Sequence, residues 1–421
     1  MPTGSRKKRG EYDFGPTSMD GEKRESSWAR GMRRMEESDA FEVNTEALQD
    51  LGVTESLLYR ERKTLRTKKI VLGVALVVLL FASLCITVDY GVISFDHVLN
   101  TIKIFFQRIY LQVFTTQEKL NTTQVMEMEP YYYQVTTRFS ISVLTAVCGA
   151  LLALSGCLYQ NVFRNPIAAP TMLGVTSGVN IGLLVLVILF GSSAAYMTGW
   201  RYLFCYAFSA VVLLLVFLGG KAMGGTGNFN TVNMMLVGSV VSQLVGTVTT
   251  FITNIFMDDE LYEVYFEVQE QLDVDASWVS WLSLAIVCVV SITPIFMMRF
   301  SLNALSFTDQ DSKLLGVNTN VLRMVSLLCG SIMVIAAMIY CGNVSMVSLL
   351  VPHISRLLFG SEFRKQFAGN ILIGSVLLLF CRDLCALIPF LDTGIPIGTM
   401  VTFVTLPFFV WMLAVQQRSW E

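Results

Sequence analysis

Histidine is nearly absent from this chain: His97 and His353 are the only two in 421 residues. One copy therefore has no multi-histidine metal centre. Charge is scarce too, at 15% of residues with a formal net charge of −2, and this excludes the broad basic surface that nucleic acid requires. No Gly-x-x-x-x-Gly-Lys-Ser/Thr phosphate loop occurs. The nearest run, Gly219 to Gly225, lacks the hydroxyl residue that would hold magnesium, so the chain is expected to hydrolyse no ATP itself. Neither a Ser–His–Asp set nor a His-Glu-x-x-His motif is present, and enzymatic chemistry has no candidate centre. The nine cysteines lie mostly in apolar segments, as Cys85, Cys148, Cys205 and Cys329 do. They read as small buried hydrophobes, not as a disulfide framework.

What remains is apolar. Hydrophobic residues make up 53% of the chain and the mean hydropathy is +0.58. Apolar runs of roughly 20 residues, the length that crosses a bilayer, recur throughout. The reading is an all-α polytopic membrane protein with about ten transmembrane helices, at 70–88, 139–160, 172–191, 200–219, 231–256, 278–298, 319–340, 345–359, 366–388 and 396–415. The eighth is short for a full crossing and contains Pro352.

Basic residues near helix ends set the orientation. Arg60, Arg62, Lys63, Arg66, Lys68 and Lys69 precede the first span. Alternation places Arg164, Lys221, Arg299, Lys313, Arg356, Arg364, Lys365 and Arg418 on the same side. Both termini are therefore expected to be cytoplasmic. Residues 1–69 form a polar tail with no cleavable signal before the first apolar run, and residues 70–421 form the transmembrane domain. The basic clusters of the tail read as a topology signal, with a lipid-surface role as the alternative.

On the opposite side lie a long loop, 89–138, with 98–114 a candidate surface helix, and an acidic segment, 258–275. That segment carries Asp258, Asp259, Glu260 and Glu263 among eight carboxylates and no basic residue. It reads either as a surface that steers a cationic partner or as a solvated loop.

Three segments carry the functional reading. The first is a polar break between the second and third spans, Gln160, Arg164, Asn165, Pro166 and Pro170, flanked by apolar helix. A backbone break at a membrane boundary needs protein or water to satisfy it, and such breaks mark moving or docking regions of transporters. In the fifth span, Gly238, Ser242 and Gly246 share one helical face beside a polar stripe of Ser239, Gln243 and Thr247. This pair of stripes reads as pathway lining, with plain helix packing as the alternative. The third is the cytoplasmic segment 301–317, with Leu302, Asn303, Leu305, Asp309, Leu315 and Gly316. Its apolar residues flank a polar centre, and residues 309–315 can form a short helix stopped by Gly316: a knob on which a soluble partner could dock. Arg382-Asp383 in the ninth span is the one charge pair at depth and reads as facing an outer vestibule or pairing locally.

Three blocks together resemble the FecCD-type permeases of ABC importers. They are Leu154-Ser-Gly156 with Gln160, Arg164-Asn-Pro166, Pro170, Leu173-Gly-Val175 and Ser177-Gly178; Leu302-Asn303 with Asp309 and Leu315-Gly-Val-Asn318; and Val351-Pro-His-Ile354 with Arg356, Gly360, Asp383, Pro396, Gly398 and Pro407-Phe-Phe409. The resemblance implies a type II ABC importer permease in a bacterial cell membrane, embedded in its lipid. It implies a second permease subunit, identical or different, two cytoplasmic ATPase subunits that carry ATP and magnesium, and an extracellular substrate-binding protein or lipoprotein. No cofactor would be bound by this chain. The cargo would be a ferric siderophore or other iron chelate, with haem or a corrinoid as alternatives. Segment 302–316 would be the ATPase-coupling element, and spans five and ten would line the pathway. Some family positions differ: Arg138-Phe-Ser-Ile141 lacks a proline and a second arginine, and Leu387 and Thr405 replace an arginine and a glycine. Docking of the binding protein would then use other charges, with Arg138 and the acidic segment as candidates. An ion-coupled secondary transporter is the different-class alternative, with Asp383 as its one strong carboxylate.

Overall fold

The structure is a computed structural model, described here for residues 63–80, 82, 96–97, 99–105, 131–223, 231–270, 278–306, 312, 314, 316–387 and 395–417. Among these residues there is no strand. The helices are α1 (63–80) and α2 (99–105), then α3 (Tyr132–Phe163), α4 (Val175–Phe190), α5 (Thr198–Met223), α6 (Thr231–Phe256), α7 (Asp259–Glu270) and α8 (Trp278–Met297). After these come α9 (Thr319–Cys341), α10 (Met346–Phe359), α11 (Phe363–Leu387) and α12 (Ile397–Gln417). Three 3-10 turns, Pro170–Leu173, Gly191–Tyr196 and Ser301–Ser306, join them.

Seven of the described helices are long and apolar enough to cross a membrane, and Met346–Phe359 and Ile397–Val410 are shorter apolar helices. They fall where the sequence places the second to tenth spans. The first expected span is described only as far as residue 82, and the candidate surface helix 98–114 only over residues 99–105. At 14 residues, α10 reaches about 21 Å, short of the roughly 30 Å hydrocarbon core.

The core is organised around α3, whose membrane window is 89% buried. It packs against α9, α10 and α11. Small residues make this possible. A Cβ on Gly149 would lie 2.2 Å from the Gly374 carbonyl oxygen of α11, and one on Gly156 would lie 1.7 Å from the Ser348 oxygen of α10. Such close backbone approach is the main source of helix association where lipid removes the hydrophobic drive. Ser375 Oγ adds a hydrogen bond to the Ala146 carbonyl at 2.7 Å, and Tyr159 Oη pairs with Ser331 Oγ of α9 at 2.6 Å. A second layer is formed by α4 on α5, with Gly178 and Gly182 against the backbones of Ser209 and Phe204.

Arg382 and Asp383 do not face a vestibule. Both are buried, paired at 3.3 Å, and Arg382 Nη1 donates to Ser142 Oγ of α3 at 2.8 Å. A buried charge is tolerable when its partner and hydrogen bonds travel with it, and here both helices of the central pair contribute.

Candidate functional site

The polar break gathers four elements. α3 ends at Phe163, and Arg164 takes the left-handed conformation at φ 50°. Asn165 then closes the turn: its N–H bonds the Gln160 carbonyl at 3.2 Å, and its side chain accepts the Ile167 N–H at 3.0 Å. Pro166 fits this turn because it has no N–H to satisfy. Pro170 opens the 3-10 turn, and Gly174 at φ 72° starts α4. The freed backbone is therefore satisfied locally, as a membrane-boundary break requires.

From this turn, bonds run outward. Gln160 Nε2 donates to the Leu349 carbonyl of α10 at 2.9 Å. Arg164 Nε donates to the Leu305 carbonyl of the Ser301–Ser306 turn at 2.8 Å. α6 seats on the 3-10 turn from the other side: a Cβ on Gly238 would meet the Met172 oxygen at 2.2 Å, and Ser242 Oγ lies 3.4 Å from the Thr171 carbonyl. The residues of the break and of the segment 301–317, 141 positions apart in sequence for Arg164 and Leu305, thus form one junction.

The Ser301–Ser306 turn is fixed at its other face as well. Asn303 Oδ1 accepts the Phe363 N–H at 2.8 Å, holding the start of α11. Ser312 Oγ donates to the Ala304 carbonyl at 2.7 Å. Gly316 has φ 74°, and the Val317 N–H reaches back to the Ser312 carbonyl at 3.1 Å. This is how a short helix is stopped by glycine. Ser312 and Leu314 are helical, whereas Asp309 and Leu315 lie outside the described residues. Asn318 then caps α9, its Oδ1 accepting from the Asn320 and Val321 N–H groups. A push on this segment therefore reaches α3, α9 and α11 through named bonds.

One assignment changes. Leu302 and Leu305 were expected on a docking surface, but both are 1% exposed and root the turn in the core. Among the described residues of this segment, the apolar side chain that is exposed is Leu314, at 87%. An amphipathic pattern in a loop says which residues share a face, not which face meets the partner.

The two stripes of α6 separate likewise. Gly238 is buried and Ser242 is half-buried against the break, so these two pack, while nothing lies within 4 Å of a Cβ on Gly246. Ser239, Gln243 and Thr247 are exposed. The Ser239 and Thr247 hydroxyls bond back to the Leu236 and Gln243 carbonyls of their own helix. Near α12 a cavity of about 690 Å³ is lined by Asn343, Ser345, Pro396, Thr399, Thr402 and Phe403, among others. Gly398 lines it too and packs on the Asn343 carbonyl, where a Cβ would lie at 2.3 Å.

The acidic segment is not a loop over its described length. Residues 259–270 form α7, which Asp258 caps by accepting the Leu261 N–H at 3.0 Å. The signal was present in the apolar spacing of Leu261, Val264, Tyr265 and Val268, one face of a helix; the density of carboxylates obscured it. α7 packs on α4 and on the Gly191–Tyr196 turn, with Ser192 Oγ donating to Glu260 Oε1 at 2.9 Å. Burial, with Tyr262 beside it, pushes the Tyr265 hydroxyl up to about 12. It stays neutral at physiological pH, and its O–H points to the Asn180 carbonyl at 3.4 Å. Asp258, Asp259, Glu260 and Glu263 are all exposed. Arg138 sits instead on α3, where its carbonyl accepts from the same Ser142 hydroxyl that meets Arg382. If α7 steers a cationic partner, converting Asp259, Glu260, Glu263 and Glu267 to their amides should weaken that association and flatten its salt dependence. Unchanged affinity at low ionic strength, measured by titration calorimetry, would remove this helix from the docking surface.

Comparison with known proteins agrees with this architecture. The chain is 26% identical over 300 residues to a protein of Helicobacter pylori (strain ATCC 700392 / 26695) described as an iron chelatin transport system permease, covering 71% of this chain and 86% of that one. It is 26% identical over 344 residues to the iron(3+)-hydroxamate import system permease protein FhuB of Bacillus subtilis (strain 168), covering 82% and 84%. A solved structure described as a metal-chelate type ABC transporter in an inward-facing conformation superposes with a TM-score of 0.63 at 24% identity. It covers 84% of this chain and 99% of that one, and shares the fold. The profile of the FecCD transport family matches residues 98–415, and the chain belongs to that family of ABC-importer permeases.

Proposed function

We propose that this chain is the membrane-spanning subunit of a bacterial ABC importer for an iron chelate, most simply a ferric siderophore. The observation that carries the reading is the 2.8 Å bond from Arg164 to the Leu305 carbonyl. It joins a broken membrane helix to the short, core-rooted turn that carries the segment 301–316, as a permease driven from outside its own chain requires. Two ATPase subunits, holding ATP and magnesium, press on the segment 301–316 from the cytoplasm. The displacement passes through the junction to α3, α6, α9 and α11, a switch between two packings of the same helices. Ser239, Gln243, Gly246 and Thr247 of α6 face the pathway or the second permease subunit. The cavity beside α12 lies on the same route.

The relatives' names range over iron chelates, hemin, vitamin B12 and molybdate, so haem or a corrinoid is the second reading for the cargo. An ion-coupled transporter is disfavoured by Asp383, whose carboxylate is engaged by Arg382. Gentle purification should recover two ATPase copies per permease pair, with ATPase activity stimulated by an extracellular binding protein. A permease that never retains a nucleotide-binding subunit would sink the proposal. Uptake assays over several iron chelates, haem and vitamin B12 would then identify the cargo.

The same reading makes Leu314 the contact residue. Leu314→Asp should leave the melting temperature of the permease unchanged, because its side chain is exposed, and should lower ATPase retention at least about tenfold, as loss of a buried apolar anchor does. Leu305→Asp, by contrast, should destabilise the permease itself. Equal ATPase retention in Leu314→Asp and wild type would return the docking surface to other residues.

A further inference from the structure

We infer that the end of α8 and the start of α11 form a binding site for the phosphate-bearing headgroup of an anionic phospholipid, built from Arg299 and Arg364 on an exposed aromatic platform. The Arg299 guanidinium lies over the Phe296 ring at 4.0 Å and over the Phe300 ring at 4.7 Å. Arg364 approaches the same Phe300 ring at 5.8 Å. Phe296 in turn meets the Phe367 ring of α11, tilted by 56° at 5.7 Å between centroids. Cation–π contact holds a guanidinium flat while leaving its N–H groups directed outward. One Arg299 donor is used, by Nη1 on the Phe296 carbonyl at 2.8 Å.

Position identifies the occupant. The outward face of α8 carries Leu282, Ile286, Val289 and Val290, all exposed along the length of a membrane-spanning helix. The same exposed face continues into Phe296, Met297 and Phe300, which are 48%, 74% and 57% exposed. The arginines thus stand where a lipid-facing apolar stripe ends, at the level of lipid headgroups. A soluble protein has no reason to meet that stripe, whereas a lipid meets both parts with one molecule. The charges suit an anion. Arg299, Arg364 and Lys365 stand against Glu362, which pairs with Lys365 at 3.6 Å and leaves the two arginines in excess. Basic residues at this depth attract anionic lipid at about 1 kcal/mol each, or roughly fivefold in affinity.

The site also has a neighbour. Phe300 directly precedes the Ser301–Ser306 turn, and the Phe300 carbonyl accepts the Asn303 N–H at 3.3 Å. A bound headgroup would brace the coupling turn from its membrane side. That the leaflet is the cytoplasmic one rests on the importer reading; the lipid contact does not.

The test uses the full chain in neutral detergent, titrated with dioctanoyl phosphatidylglycerol or dioctanoyl phosphatidylcholine and read by native mass spectrometry. The wild type should bind phosphatidylglycerol the tighter of the two. Arg364→Gln should weaken that lipid roughly fivefold and Arg299→Gln/Arg364→Gln roughly twenty-fivefold, with phosphatidylcholine binding unchanged. Arg299→Lys/Arg364→Lys should retain most of the affinity. Because Arg299 also caps α8, the single Arg364→Gln variant carries the result if the double variant melts early. Unaltered phosphatidylglycerol affinity in Arg364→Gln overturns the site. So does competition by inorganic phosphate at the lipid's own concentration, which would make it a simple ion site. Displacement of the lipid by purified ATPase would assign the patch to the protein partner instead. The chain is assayed alone, so failure here leaves ATPase co-purification untouched as the test of function.

Discussion

Gly156→Val is expected to prevent recovery of folded permease. Even the first added carbon would sit 1.7 Å from the Ser348 carbonyl oxygen and 2.8 Å from its Cα. Neither atom belongs to a flexible side chain, so α10 must move off α3. Gln160 would then lose the Leu349 carbonyl it now reaches at 2.9 Å. Overpacking a tight core costs about 1–3 kcal/mol where side chains can yield, and more is expected where only backbone stands in the way. The measurement is the yield of monodisperse protein in mild detergent and its melting temperature. Gly246→Ala is the matched control on a span with open space at that position. Its expected effect is neutral or a gain of up to about 1 kcal/mol in helix propensity. If Gly156→Val melts with the wild type, the α3–α10 contact is not as close as described.

Arg164→Gly is expected to separate ATP hydrolysis from transport. The substitution removes the side chain that holds the Leu305 carbonyl. At φ 50°, glycine adopts the local backbone more readily than arginine, which offsets part of the lost bond, so the permease should still fold, with a modest fall in melting temperature. A hydrogen bond from a charged group contributes about 1.5–3 kcal/mol, which at 1.4 kcal/mol per factor of ten corresponds to a coupling loss of roughly ten- to a hundredfold. ATPase subunits should still assemble and hydrolyse ATP, while uptake of the cargo per ATP falls by that factor. A variant that transports at the wild-type ratio would show that the junction does not carry the stroke.

These two outcomes depend on features of different legibility. Arg164 and the break could be read from sequence because prolines, an asparagine turn and a polar run interrupt a long apolar pattern. The spans were readable for the same reason: most are runs of bilayer length, and most ends fall within a turn of the helix described. The partner of Gly156 could not be read. Small residues declare that something may come close, but Ser348 lies far along the chain and nothing local names it. Arg382 and Asp383 had the same difficulty, since Ser142 completes the pair from another helix. Leu302 and Leu305 show the limit of amphipathic patterns in short segments, where two apolar side chains root the turn and a third, Leu314, is offered outward. Around α7, the eight carboxylates of 258–275 mask a plain helical apolar face.

The shortness of α10 has an electrical consequence. Its 14 residues leave roughly 9 Å of the usual hydrocarbon thickness unspanned by helix. Beside it, the recess of about 690 Å³ presents Asn343, Ser345, Thr399 and Thr402, enough room and polarity for on the order of twenty waters. In a permease held in a bilayer, water filling this recess would thin the insulating layer locally. A cargo with net charge would cross a shorter stretch of low dielectric, and the membrane voltage would fall over that same shortened distance.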